Sequence, residues 1–433
     1  MPKVSKTSPF VNLNLNVRGL NQSATLLINE RSNQLIEQGK TVYKLGLGQS
    51  PFPVPEIIQE ALRRNAHQKD YLPVKGLLKL RESIAAFNYR HQGIECSPDD
   101  IMIGPGSKEL IFILQLVYYG ELIIPTPSWV SYSPQARIVG RHVNWVPTSE
   151  EIEWKLSPEK LDLICRSDPD RPRVVILNYP SNPTGATYSK EWLKKIAAVA
   201  RKYKLILISD EIYSLLHHDG NHVSIAQYYP EGTIISSGLS KWAGAGGWRL
   251  GTFTFPQNLN WLQNAMAIVA SETFTSTSAP IQYAAVTAFE DHPGIDEYLI
   301  HSRRILKSLG NYIAGRLREQ HITVPTPKGG FYLFPNFNIY CDRLAARGIL
   351  TSFELCENIL ADTGIAMLPG TDFGRQPEEL TCRIAYVDFN GEEVLNKAMN
   401  EYRDIPLSTD FLKKHCSKML TAIDKLEEWL ENL

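Results

Sequence analysis

Three short runs decide what this chain can fold into. Residues 173–178 read RVVILN, residues 205–209 LILIS and residues 233–237 TIISS. Each is apolar without alternation, so each must be buried on both faces, and each ends at polar or glycine-rich residues. Between the first two lies KEWLKKIAAVARKY (190–203), where Trp192, Leu193, Ile196, Ala197 and Ala200 share one side of a helix. Strand, helix, strand with fully apolar strands specifies an α/β fold with a mostly parallel central sheet. A further apolar stretch, 110–125, is interrupted by Gln115, Gly120 and Glu121. It reads as a buried helix running into a buried strand and not as a membrane span.

The 433 residues exceed one ordinary domain. The expected division is an N-terminal arm and part of a small domain (1–61), a large domain carrying the sheet (62–305) and a smaller α+β C-terminal domain (306–433). The first forty residues, polar and rich in Asn and Ser, read as the arm. The last third holds strand-like GGFYLFPNF (329–337) and TCRIAYV (381–387), then a closing helix. There Leu412, Cys416, Met419, Ile423, Leu426, Leu430 and Leu433 alternate steps of four and three. That stripe is expected to pack on its own domain, being barely long enough for a coiled coil.

Charge and cysteine usage narrow the function. Lys and Arg total 45 against 46 Asp and Glu, so no net field recruits nucleic acid or an anionic membrane. Six scattered cysteines form no C-x-x-C pair, which argues against a disulfide framework or a zinc site and fits a cytoplasmic, reducing environment. The first residues carry no apolar core of signal-peptide length. HHDGNH (217–222) has three histidines but only Asp219 as a further ligand, and reads as a loop without metal. Glu211, beside Asp210, reads as structural, because adjacent strand residues point to opposite faces.

In an open parallel sheet, ligands bind beyond the carboxyl ends of the strands. The three runs end there in NYPSNPTG (178–185), DEIY (210–213) and SGLSKWAGAGGWRLG (237–251). Alone, each is an ordinary turn, helix cap or surface lysine. Together they gather an amine, a carboxylate, an amide, a phenol and an arginine at one sheet edge. A lysine that forms a Schiff base with pyridoxal 5′-phosphate needs that set. The carboxylate keeps the ring nitrogen protonated, Asn182 and Tyr213 suit the ring oxygen, and an arginine fork among small residues suits the phosphate.

These motifs resemble, in order and spacing from about residue 46 to 387, the fold-type I pyridoxal-phosphate enzymes of aminotransferase class I/II, nearest the bacterial aspartate and aromatic aminotransferases. The resemblance implies that Lys241 is the Schiff-base lysine and proton carrier, that Asp210 pairs with the pyridine nitrogen, that Asn182 and Tyr213 hold the ring oxygen, and that Arg249 and Ser240 hold the phosphate. GPGSKEL (104–110) resembles the family's phosphate loop, giving Gly106, Ser107 and Lys108. PTPSWVSY (125–132) gives Trp129 as the ring-stacking aromatic. TCRIAYV gives Arg383 for the substrate α-carboxylate, and LGLGQSPFPVPEII (45–58) gives Gly48 lining that site. YLPVKGLLKLRESIA (71–85) gives Tyr71, which in the family reaches the neighbouring subunit's phosphate and so implies a homodimer with shared sites.

The implied activity is ping-pong transfer of an amino group between an L-amino acid and a 2-oxo acid, 2-oxoglutarate being a plausible second acceptor. Two departures bear on it. Gly238 stands where relatives often have serine, and residues 266–289 hold no Lys or Arg for a distal carboxylate. Two alternatives share some of these motifs: another fold-type I enzyme, such as a carbon–sulfur β-lyase or an aminocyclopropane-carboxylate-synthase-like lyase, and a non-catalytic sensor domain. Amino-acid-driven conversion of bound cofactor separates the first; the second would need a DNA-binding partner domain.

Overall fold

The computed structural model describes residues 13–433; the first twelve residues of the expected arm lie outside the described residues. Twelve strands follow in chain order: β1 (Tyr43–Lys44), β2 (Ile101–Gly104), β3 (Glu121–Thr126), β4 (Val143–Pro147), β5 (Arg173–Asn178), β6 (Ile206–Asp210), β7 (Thr233–Gly238), β8 (Gly251–Thr254), β9 (Tyr332–Leu333), β10 (Ile365–Ala366), β11 (Leu368–Pro369) and β12 (Cys382–Ala385). Seven of them form one sheet in the order β2-β8-β7-β6-β5-β3-β4. Neighbours are parallel except β8, which is antiparallel to both β2 and β7.

The continuous apolar runs have the expected cause. Val174, Ile176, Ile206 and Ile208 face one hydrophobic cluster with Leu110 and Leu114 of the helix Ser107–Val117. Val175, Leu177 and Leu207 face the other, with Leu193, Ile196 and Ala200 of the helix Lys190–Lys202. Ser189 starts that helix by accepting from the Trp192 N–H. Each buried branched side chain contributes roughly 1.5–3 kcal/mol, so two apolar faces per strand fix the sheet's place in the middle layer.

The last third differs from its sequence reading in two places. The strand expected over 329–337 is only Tyr332–Leu333. Gly330 adopts φ +66° and Pro335 lacks an N–H, so a turn and a missing donor shorten it. The closing helix is two, Thr409–His415 and Ser417–Glu431, broken at Cys416. Its apolar stripe is nonetheless buried in the chain's own core, with Leu412, Met419, Ile423, Leu426 and Leu430 packed beside Leu306 and Ile313 of the long helix Pro293–Glu319. Within the stretch read as an arm, Ala24–Glu37 is a helix that packs Ile28 and Leu35 against Val42, Leu360 and Ala366.

Candidate active site

The sheet register aligns the strand ends: Asn178 pairs with Asp210, and Asp210 with Ser236. Beyond them opens a cavity of about 540 Å³. Its wall includes Lys241, Asp210, Asn182, Tyr213, Ser240 and Arg249 from the strand-end segments. Ser107, Lys108 and Trp129 join from the neighbouring loops, and Gly48 and Arg383 from the far side.

Asp210 ends β6 and is 3% exposed. Its Oδ2 accepts from the Tyr132 hydroxyl at 2.5 Å and its Oδ1 from Ser236 Oγ at 3.2 Å. Burial pushes its carboxyl up to about 6, against those hydrogen bonds. Lys241 donates from Nζ to the Gly48 carbonyl at 2.9 Å. Burial, then the Arg383 and Arg249 charges, bring its amine down to about 8. Asn182 is buried; its Oδ1 accepts from Arg383 Nη1 at 3.1 Å. The Tyr213 and Tyr332 hydroxyls lie 2.9 Å apart, and burial raises the Tyr213 phenol well above its usual range. Arg383 is 1% exposed, stacked over the Tyr332 ring at 4.8 Å and the Phe373 ring at 5.1 Å. Its Nη2 donates to the Gly46 carbonyl, and its buried Nε has no partner among the described residues.

An anion seat lies at the start of the helix Ser107–Val117. Gly106 precedes it at φ +95°, and a Cβ there would meet Arg249 Nη2 at 2.2 Å. Arg249 itself holds left-handed backbone at φ +55°, a strain of order 1 kcal/mol in a non-glycine residue. Its guanidinium spans the Gly246 and Pro105 carbonyls at 2.8 and 3.3 Å. Helix N–H groups, an arginine and the Ser107 and Ser240 hydroxyls together suit a phosphate. Gly238 cannot be the serine of relatives: at φ +155° an added Cβ would lie 2.6 Å from the Leu250 carbonyl oxygen.

These features fit pyridoxal phosphate. A buried carboxylate satisfied by hydroxyls, with no positive charge among its donors, suits a protonated ring nitrogen. Trp129 lines the cavity and meets the Tyr132 ring edge-on at 5.2 Å. Tyr71 stands apart: it is 89% exposed and does not line the cavity of its own chain. Tyr132 and Tyr332 escaped the sequence reading, though the first lies in the segment that gave Trp129 and the second in the strand-like run 329–337. Their partners are 78 and 119 positions away, so no local spacing marks them. The histidines of 217–222 are buried in a loop whose tip, residues 219–221, is exposed, and among the described residues no three metal-ligating side chains gather.

Comparison with known proteins agrees with this geometry. Residues 40–396 match the family described as aminotransferase class I and II. The chain is 34% identical over 368 residues to an aspartate aminotransferase from Geobacillus stearothermophilus, covering 83% of this chain and 91% of the relative. It is 30% identical over 396 residues to an aspartate/prephenate aminotransferase from Thermus thermophilus, covering 90% and 97%. Among solved structures, the Thermus thermophilus aspartate aminotransferase with maleate superposes with a TM-score of 0.79 at 29% identity, over 91% of this chain and 99% of that one. An aromatic aminotransferase from Pyrococcus horikoshii gives a TM-score of 0.76 at 30% identity, over 93% and 99%. The chain therefore belongs to the class I and II aminotransferases, with the fold-type I architecture and pyridoxal-phosphate dependence of that family.

Proposed function

We propose that amino-group transfer takes place in the 540 Å³ cavity, with an L-amino acid and a 2-oxo acid alternating there in ping-pong fashion. The observation that carries this is the pairing of a lysine amine brought down to about 8 with a buried carboxylate across one cavity that also contains the Arg383 fork. Bound pyridoxal phosphate supplies an aldehyde that takes up amines and a ring that accepts the electron pair released at the substrate Cα. Arg383 binds the substrate α-carboxylate through its guanidinium, steadied by Asn182 and the two flanking rings. Lys241, its amine brought down to about 8 and so able to cycle between charged and neutral forms near physiological pH, takes the proton from the substrate Cα and returns it. Asp210 holds a proton on the ring nitrogen. Tyr213 and Asn182 donate to the ring oxygen. Arg249, Ser240, Gly106, Ser107 and Lys108 hold the phosphate, and Trp129 covers the ring face.

We propose the finer assignments on the same footing: the division at 61 and 305, with the helix Pro293–Glu319 as its bridge, a cytoplasmic location consistent with six unpaired thiols, and a homodimer in which Tyr71 enters the neighbouring site. The test is a half-reaction screen. Wild-type protein converts its bound cofactor with at least one L-amino acid, and Lys241→Ala slows that conversion at least about 10³-fold. Full conversion by the mutant contradicts the assignment.

A further inference from the structure

Glu211 and the histidines of the loop 217–222 have no part in the reaction above, yet the fold buries Glu211, next to Asp210 in the chain, in hydrogen-bond contact with His222. Glu211 is 3% exposed and His222 8%. Ser209 and Glu211 flank Asp210 on the opposite face of the strand end. Glu211 Oε1 accepts from Ser209 Oγ at 2.7 Å and from Ser224 Oγ at 2.5 Å. Its Oε2 accepts from His222 Nε2 at 2.9 Å. The His222 ring lies 5.1 Å from that of Tyr179, whose hydroxyl donates to Ser209 Oγ at 3.1 Å and accepts from the Ile225 N–H at 2.8 Å. Gln92 fixes the loop from the next helix, donating to the His222 carbonyl at 3.0 Å and accepting from the Ser224 N–H at 2.9 Å.

One atom of this network is left over. His222 Nδ1 is buried without a partner among the described residues. An unpartnered ring nitrogen costs less as a lone pair than as an N–H of an imidazolium. With Nε2–H given to Glu211, the imidazole is therefore the neutral form and Glu211 keeps its negative charge. The other titratable groups around it are Asp210, Tyr179, His217, which burial and the neighbouring His222 bring down to about 4, and His91 and Arg303, which share a cavity of about 60 Å³ with Glu211 and His222.

We propose that Glu211 and His222 are positioning residues for the transfer reaction: a carboxylate–imidazole brace that fixes the strand end carrying Asp210 and places a second negative charge behind it. The proposal rests on the reading that Asp210 serves the ring nitrogen. The brace sets Asp210's direction through hydrogen bonds that tie β6 to two loops, and its charge favours protonated forms of the cofactor beyond Asp210.

The test compares Glu211→Gln with wild-type holoenzyme. Glutamine can keep the hydrogen bonds, its amide oxygen accepting from His222 Nε2–H and its NH2 donating to the Ser209 and Ser224 hydroxyl oxygens. The expected result is a pH midpoint of the bound cofactor's visible absorbance lowered by about half a unit or more, with a lower kcat, little change in KM and little change in thermal midpoint. A second pair covers the case in which that variant does not fold. His222→Ala moves the midpoint and lowers kcat, and His222→Gln, which restores an N–H to Glu211, returns both towards wild type. Variants that change only the thermal midpoint, or a His222→Gln no better than His222→Ala, overturn the proposal. Asp210→Asn is run alongside. Near-normal turnover in that variant contradicts the reading of Asp210 itself, whereas its inactivity with unaltered Glu211→Gln defeats only the brace.

Discussion

A single buried amine shows what the cavity costs the fold. Lys241 titrates at about 8 in the folded chain and at its ordinary 10.5 when unfolded. Between those values the unfolded state binds more protons, so the group's contribution to stability rises with pH, and its full cost applies below about 8. Lys241→Met in cofactor-free protein is therefore predicted to be more stable than wild type by on the order of 1–2 kcal/mol at pH 7, the gain shrinking as pH approaches 10.5. Chemical denaturation at pH 7 and pH 10 measures both; an unchanged or reversed difference contradicts the charge assignment. Arg383 makes a second prediction. Its fork lies against two rings, a geometry that an ammonium cannot reproduce. Arg383→Lys is expected to raise KM for amino acids about 10–100-fold with a smaller effect on cofactor retention, as steady-state kinetics and dialysis report.

The elements explain why so much was legible and where legibility stopped. β5 and β6 were readable because neighbouring residues such as Val174 and Val175, or Ile206 and Leu207, face two different apolar clusters, which leaves the run apolar on both sides. That Asp210, Lys241 and Arg249 would meet at one cavity was readable because the strand ends and their loops carry them in short motifs. The antiparallel β8 was not, since GTFT carries neither a long apolar run nor a turn signal that fixes direction. Tyr132, Ser236 and Tyr332 were missed because each acts through a partner on another element. The helix Ser107–Val117 gives the prediction at this scale. Gly106 leaves just enough room for Arg249 at the helix start, so Gly106→Ala must displace the guanidinium or strain the backbone. Cofactor affinity is expected to fall about tenfold or more while the fold persists; affinity equal to wild type by fluorescence titration moves the anion seat elsewhere.

For the whole molecule, the open question is assembly. Tyr71 is almost fully exposed in one chain and lies outside its cavity, as a residue serving a neighbour must. A two-fold dimer repeats one patch on both subunits, so both sites complete together. Mixing Lys241→Ala with Tyr71→Phe chains concentrates both defects in one site of each mixed dimer and leaves the other intact. With random pairing, activity is predicted to approach about a quarter of wild type, above either parent. No recovery in proven mixed dimers defeats the shared site and leaves the cofactor assignment standing.

The assignment itself turns on one amine. The lysine that carries the cofactor is fixed to it when the holoenzyme is treated with borohydride, and peptide mass spectrometry then locates the pyridoxyl group. The group is predicted on Lys241. Its presence on Lys108 or any other lysine, or its retention at normal stoichiometry in Lys241→Ala, would contradict the account.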